Sequence, residues 1–249
     1  MFYINQNKTL TQLENLVHEN MQYMPKSFMK EQEKALELFQ KRVFLEEIIE
    51  ETIKFNRSLN WDNKGDKGLK ITTTAEELIS VFKLRSDIYT KINYQDEFPD
   101  TIEGLNFDSY DKYSAVIYYE SHSKMIGTTR VIFDLQSKLP SEDKYSFDNL
   151  RTKYKNIAEV SRLVVKHEKK GLNLAFKHLM KGLYLVFNQN KLDMTFSGMK
   201  KEHYKFYSKL GGTSIIKELS AYGEVHVPCI IMSWDLSKTS KFFARSFLK

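Results

Sequence analysis

Ala158-Glu159-Val160-Ser161-Arg162-Leu163-Val164-Val165-Lys166-His167-Glu168-Lys169-Lys170-Gly171-Leu172-Asn173 is the stretch whose reading decides the fold. Its first half is short, apolar and β-branched, which predicts a buried strand from Ala158 to Val165. Glu159 and Arg162 interrupt that strand with opposite charges. Lys166 to Lys170 then forms a charged connection, and Gly171 opens a helix running to about Asn188. A helix N-terminus presents unpaired N–H groups and a positive dipole end, and a glycine allows close backbone approach. With Lys169 and Lys170 beside it, this join suits a phosphate group. A plain solvated turn is the alternative reading of the same residues.

Moving outward, strands alternate with helices. Upstream, Tyr113 to Glu120 and Met125 to Phe133 are β-rich runs joined by Ser121-His122-Ser123-Lys124, which predicts a hairpin. Before them, Leu69 to Thr73 is a short β run. Thr74 with Glu77 has capping-box spacing and opens a helix through Leu78, Val81, Phe82, Arg85 and Tyr89. An Asp- and Asn-rich loop ends at Asp108-Ser109-Tyr110-Asp111, and a long irregular stretch reaches Asn156. Downstream come a strand at Met194 to Phe196, a helix from His203 to Lys209 ended by Gly211-Gly212, and strands at Thr213 to Leu219 and Val225 to Leu236. This order predicts an α/β fold, a mixed sheet flanked by helices.

The N-terminal 65 residues differ in character. Leu10, Leu13, Leu16, Val17 and Met21 recur at helical spacing, and after Pro25 a second segment opens with Ser27 as its cap. The polar, glycine-containing connection Asn60 to Gly68 is the expected boundary. The expected organisation is a helical arm over residues 1–65 and a catalytic domain over 66–249. Packing on the main domain or on a second subunit is the ordinary role for such an arm, with peripheral membrane contact as an alternative.

The 249 residues are 41% hydrophobic, enough for a core, and no apolar run reaches the roughly 18 residues a membrane-spanning helix needs. The start lacks the pattern of a secretory signal, and one cysteine, Cys229, rules out an internal disulfide, so the cytoplasm is the expected compartment. The net charge of +6 is spread over scattered lysines without zinc-finger, RNP or basic-zipper spacing, which argues against nucleic acid. The six histidines show no ligand spacing, so no metal site is expected.

The join around Gly171 resembles the pyrophosphate-binding turn of GNAT acyltransferases, and His203 to Gly212 is similar to their late helix reading F-Y-x-x-L-G. Arg85, the Asp108/Asp111 pair, Gly127-Thr128-Thr129-Arg130 and Glu159-Val160-Ser161-Arg162 occur in the order found in acyl-homoserine-lactone synthases and N-acyl amino acid synthases. The resemblance covers about residues 70 to 235. Tyr89 stands where lactone synthases carry Phe, and no tryptophan lies between Lys91 and Phe107. Both departures turn the resemblance toward the N-acyl amino acid synthases.

The resemblance implies a GNAT-like sheet splayed at its central strand and a reaction in which an amine attacks a thioester. The donor is then the acyl-phosphopantetheine of acyl carrier protein, or acyl-CoA, used as co-substrate, with no permanently bound cofactor. Glu159 is expected as base, with Arg162 and Arg130 completing the catalytic set. Arg85, Asp108, Asp111 and Tyr207 are expected at the amine substrate. Leu163, Val164, Val165, Lys169, Lys170, Gly171 and Asn173 are expected at the acyl donor. Phe133, Phe176, Leu179, Leu183 and Phe196 are candidate liners of an acyl cleft. An acidic carrier protein would dock on Lys166, Lys169, Lys170, Lys177 and Lys181. A lactone synthase, an acetyl-CoA-dependent acetyltransferase and a non-catalytic lipid-binding module are the competing readings.

Overall fold

The computed structural model describes residues 10–23, 25–135, 138–166, 173–221 and 228–249. The chain divides into two compact units, Met1–Glu47 and Ile48–Lys249. The first holds helix α1 (Leu10–Met21) and the opening of helix α2 (Lys26–Ser58). Helix α2 starts directly after Pro25, one residue ahead of the anticipated cap at Ser27. The division falls inside α2, not at the Asn60 to Gly68 connection. The last turns of α2 are tied to the sheet unit, where Asn56 Nδ2 donates to Thr72 Oγ1 at 2.7 Å.

Among the described residues the sheet unit has seven strands: β1 (Leu69–Ile71), β2 (Ser114–Ser121), β3 (Lys124–Phe133), β4 (Ile157–Val165), β5 (Met194–Lys200), β6 (Thr213–Leu219) and β7 (Cys229–Trp234). Their order is β1-β2-β3-β4-β5-β7-β6. Every neighbouring pair is antiparallel except β4 with β5. The β2–β3 hairpin turns through His122 and Ser123, both at positive φ, as a tight two-residue turn demands.

Alternation along the strands sends side chains to two faces. Ala115, Ile117 and Tyr119 of β2 join a core with Leu179, Met180 and Leu183 of helix α5 (Leu174–Gln189). The intervening Tyr118 instead donates its hydroxyl at 2.6 Å to Glu77 of helix α3 (Ala75–Lys91). Helix α5 sits close on the sheet at Gly127, where a Cβ would come within 3.0 Å of both Ala175 and Leu179. The capping box of Thr74 and Glu77 forms as expected.

Several elements escape sequence periodicity because they are too short to show any. The stretch before Asn156 contains a 3-10 turn, Pro140–Asp143, and helix α4 (Asp148–Lys153). Where a helix is expected from His203 to Lys209, a single helical turn, α6 (Tyr204–Tyr207), stands between the 3-10 turns Lys201–His203 and Ser208–Leu210. A final helix, α7 (Lys241–Phe247), is capped by Ser240 and buries Phe243 and Phe247. Gly171 lies outside the described residues, and the described helix starts at Leu174 with Asn173 as its cap.

Candidate active site

Two irregularities in β4 build the site. Arg130 pairs with Ser161 and Thr128 with Val164, so β4 carries one residue more than β3 over this span. The extra residue is a β-bulge, and Arg162 within it has φ 53°, a left-handed conformation unusual for a non-glycine residue. The second irregularity is a split. The β4–β5 pairing covers only Ile157–Met194, Ala158–Thr195 and Glu159–Phe196, although both strands continue. Beyond Glu159 the two strands part company.

On the α3 face, five charged residues form one continuous chain. Arg85 Nη1 donates to both oxygens of Asp111, at 2.9 and 3.1 Å. Asp111 also meets Arg130 Nη1 at 3.1 Å. Arg130 grips Asp108 with two nitrogens, at 2.6 and 2.9 Å, and its Nε donates to the Ser161 hydroxyl at 2.8 Å. Asp108 then accepts from Arg162 Nη2 at 2.9 Å. The two aspartates serve local structure as well, because together they cap the 3-10 segment Ser109–Tyr113. Arg162 lies over the rings of Phe98 and Tyr89, 4.3 and 5.6 Å from their centres.

The chain runs from the core to the surface. The Arg85 and Asp111 side chains have no exposure and Arg130 has 2%, whereas Asp108 has 27% and Arg162 13%. Three arginines face two aspartates, so the cluster carries a net positive charge. Arg85 Nε and Nη2 and Arg162 Nη1 are buried with no hydrogen-bond partner among the described residues. Burial opposes the charged form of Asp108, but the Arg130 guanidinium, with Arg162 behind it, outweighs burial and holds that carboxyl well below the usual carboxylate range. Burial likewise pulls on Arg130, and Asp108 and Asp111 more than offset it, so Arg130 stays charged.

Glu159 lies on the same face, opposite Ile132 and next along from the Arg130–Ser161 pair. It is 2% exposed, and its carboxylate accepts from the Ser141 N–H at 2.9 Å and the Ser141 hydroxyl at 2.8 Å. Burial pushes its carboxyl up to about 7, against the pull of Ser141 and Arg130. Two nearby carboxylates are thus driven apart. Asp108 remains an anion, while Glu159 can take up and release a proton near neutrality.

The remaining candidates divide. Tyr207 does not join the charged chain. It packs edge-on against Trp234, with ring centres 6.3 Å apart, beside the α5-face core, and burial pushes its hydroxyl up to about 12. Asn173 spends its side chain on the helix, its Oδ1 accepting from Phe176 N and its Nδ2 donating to Lys166 O. Lys169, Lys170 and Gly171 lie outside the described residues. Of Leu163, Val164 and Val165, the last faces α5, where it approaches Gly127. The five apolar candidates do not share one surface. Leu179 and Leu183 belong to the α5-face core with Phe133 and Phe176 packed against it, while Phe196 stacks on Phe147 in the opposite one, at 4.6 Å. Lys181 reaches Asp66 at 3.3 Å and Asp66 also meets His178, so Lys181 is not a free surface charge.

Sequence reading overlooked three participants. Ser141 sits in a stretch without periodicity, Phe98 in an irregular loop, and Ser161 inside the motif itself. The alternation of Glu159 and Ser161 on one strand face was the one signal available for the last.

Residues 80–235 match the family profile described as N-acyl amino acid synthase FeeM. The chain belongs to this family. It is an acyltransferase with a GNAT-like fold. The solved structure of FeeM, an N-acyl amino acid synthase from uncultured soil microbes, is 19% identical with TM-score 0.55, over 69% of this chain and 96% of that one. The lactone synthase LasI is 16% identical with TM-score 0.50, over 68% and 89%. BjaI, a CoA-dependent acyl-homoserine lactone synthase solved with SAM and isopentyl-CoA, is 17% identical with TM-score 0.52, over 68% and 79%. No curated protein matches the chain in sequence. Among the described residues, no helix is long and apolar enough to cross a membrane and no group of side chains is arranged to hold a metal ion.

Proposed function

We propose that this acyltransferase moves a long-chain acyl group from acyl carrier protein to the amine of an amino acid, in the cytoplasm. One observation carries the reading: a buried, net-positive arginine–aspartate chain with an unpartnered Arg162 nitrogen lies on the same sheet face as a carboxyl tuned to about 7. An amino acid in solution is a carboxylate and an ammonium. Its carboxylate suits the free edge of Arg162, because a guanidinium fork matches a planar anion. Its ammonium suits Asp108, the partly exposed anion next to it. An ammonium cannot attack a carbonyl, so a proton must leave first. Glu159 takes that proton, directly or through one water, near its own pKa.

The thioester enters where β4 and β5 separate, with backbone N–H groups near Leu163 to Val165 stabilising the oxyanion. As the tetrahedral intermediate collapses and the C–S bond breaks, the departing thiolate takes its proton from Tyr207, and the second proton lost by the nitrogen restores that phenol to the neutral form that burial favours. Arg85, Asp111 and Arg130 hold the cluster together from below. The donor phosphates fall to Lys169, Lys170 and Gly171, and the acidic carrier docks on Lys166 and its neighbours on α5. Coenzyme A thioesters are the second donor to consider, as BjaI, whose name describes it as CoA-dependent, has the same fold.

Incubation with a long-chain acyl carrier protein and, separately, with acetyl-CoA, each with a pool of amino acids, tests the reading. Amine-dependent thiol release with the carrier donor, and an N-acyl amino acid by mass spectrometry, is the expected result. Release with acetyl-CoA alone would replace the donor assignment, and release with neither would end the reading.

A further inference from the structure

The grip on Glu159 comes from outside the charged chain. Ser141 stands in the 3-10 turn Pro140–Asp143 and is fully buried. Its N–H reaches Glu159 Oε2 and its hydroxyl reaches Oε1, so each carboxylate oxygen receives one donor from one residue. The turn is itself fixed. Glu142 accepts from the Leu139 N–H at 2.8 Å and from Arg151, whose Nε and Nη2 also hold both oxygens of Asp134, at 2.7 and 2.8 Å. A continuous run of bonds therefore leads from Arg151 of α4, through the turn, to the carboxylate.

We propose that Ser141 is a positioning residue for acyl transfer, aiming the Glu159 carboxylate through these two hydrogen bonds. The inference rests on the reading of Glu159 as the base. A carboxylate oxygen has two acceptor directions. Ser141 occupies one on each oxygen, which fixes the plane of the group and leaves one on each for the amine or its water. Both donors also favour the ionised form, against a burial that favours the protonated one. The other groups acting on Glu159 are Arg130 from β3, which favours the anion, and Glu142 from the turn, which opposes it. Tyr110, from the segment Ser109–Tyr113, lies within the field of Glu159.

The experiment follows the Glu159 carboxyl in the full-length protein carrying carboxyl-13C glutamate, titrated from pH 4 to 9 by NMR. Loss of one signal in Glu159→Gln identifies it. In parallel, amine-dependent thiol release from a long-chain acyl carrier protein with the amino-acid pool is measured against pH. The wild-type midpoint is expected near 7. In Ser141→Ala, which keeps the N–H and loses the hydroxyl, the midpoint rises by about one pH unit and the acid limb of the rate moves with it, roughly tenfold slower at pH 6. Ser141→Thr, which retains the hydroxyl, brings both back. An unmoved midpoint in folded Ser141→Ala overturns the proposal. A midpoint that moves while the rate profile stays fixed overturns the underlying base assignment of Glu159 instead. If Ser141→Ala does not fold, Ser141→Cys, with its weaker donor, replaces it: a smaller upward shift supports the proposal and none overturns it.

Discussion

Two arginine–carboxylate clusters meet near Glu159 and are built on opposite terms. Around Arg151, one guanidinium serves the carboxylates of Asp134 and Glu142, and all three of its nitrogens are engaged. It lies near the surface, with 31% of its side chain exposed. The second cluster sets three arginines against two aspartates, buries Arg85 and Arg130 almost completely, and still leaves three nitrogens without hydrogen-bond partners among the described residues. A tie that only holds a turn in place satisfies its hydrogen bonds. Incomplete satisfaction under desolvation is costly, and under the proposed function it is the amino-acid carboxylate that relieves it at Arg162.

The sharpest way to break this contrast is to remove each arginine in turn. Arg130→Ala strands two aspartates that have lost their shared partner, and is expected to destabilise by about 3–5 kcal/mol in urea unfolding. Arg151→Ala exposes its partners to water and should cost about 1 kcal/mol. Equal losses would erase the distinction. Glu159→Gln comes next. The folded protein keeps the Glu159 proton up to about 7, whereas an ordinary glutamate releases it near 4.5. Its contribution to stability is therefore intact below 4.5 and is lost as pH rises towards 7, by roughly 3 kcal/mol. The variant should escape this loss, melting higher than wild type at pH 8, while kcat/KM falls about 100-fold or more. Melts at pH 5 and 8 beside initial rates check both halves.

Arg162 supplies the smaller effects. Arg162→Ala should raise KM for the amino acid about 10- to 50-fold with less change in kcat, the amount expected for one charge-assisted hydrogen bond. A change confined to kcat would place the acceptor elsewhere. Because Arg162 adopts a left-handed conformation, Arg162→Gly should be about 1 kcal/mol more stable than Arg162→Ala while binding the acceptor no better. Comparison of their melting curves at one pH decides this.

The charged cluster is legible in the sequence because its members sit on regular elements or at their ends. Arg85 follows the helical repeat of α3, Arg130 and Glu159 lie on strands, and Asp108 and Asp111 cap a turn with recognisable spacing. Residues recruited by the tertiary fold carry no such rhythm. Ser141 reaches Glu159 across 18 positions from a four-residue turn, and Phe98 reaches Arg162 from an irregular loop. Asn173, expected at the acyl donor, caps the described helix, which takes its side-chain oxygen for the Phe176 N–H. Motif spacing marks Tyr207 but says nothing about the face on which its side chain emerges, and the ring emerges beside Trp234.

The extra residue at Arg162 has a further consequence. Up to Ser161, odd-numbered residues of β4 turn towards α3 with Arg130. After the insertion the parity reverses, so odd-numbered Val165 turns towards α5. Deleting one residue here would be more than a local defect. It would exchange the faces of everything that follows in the strand. A strand that presents charged side chains to one helix and apolar side chains to the other has to change step once to trade their order, and this one does so at Arg162.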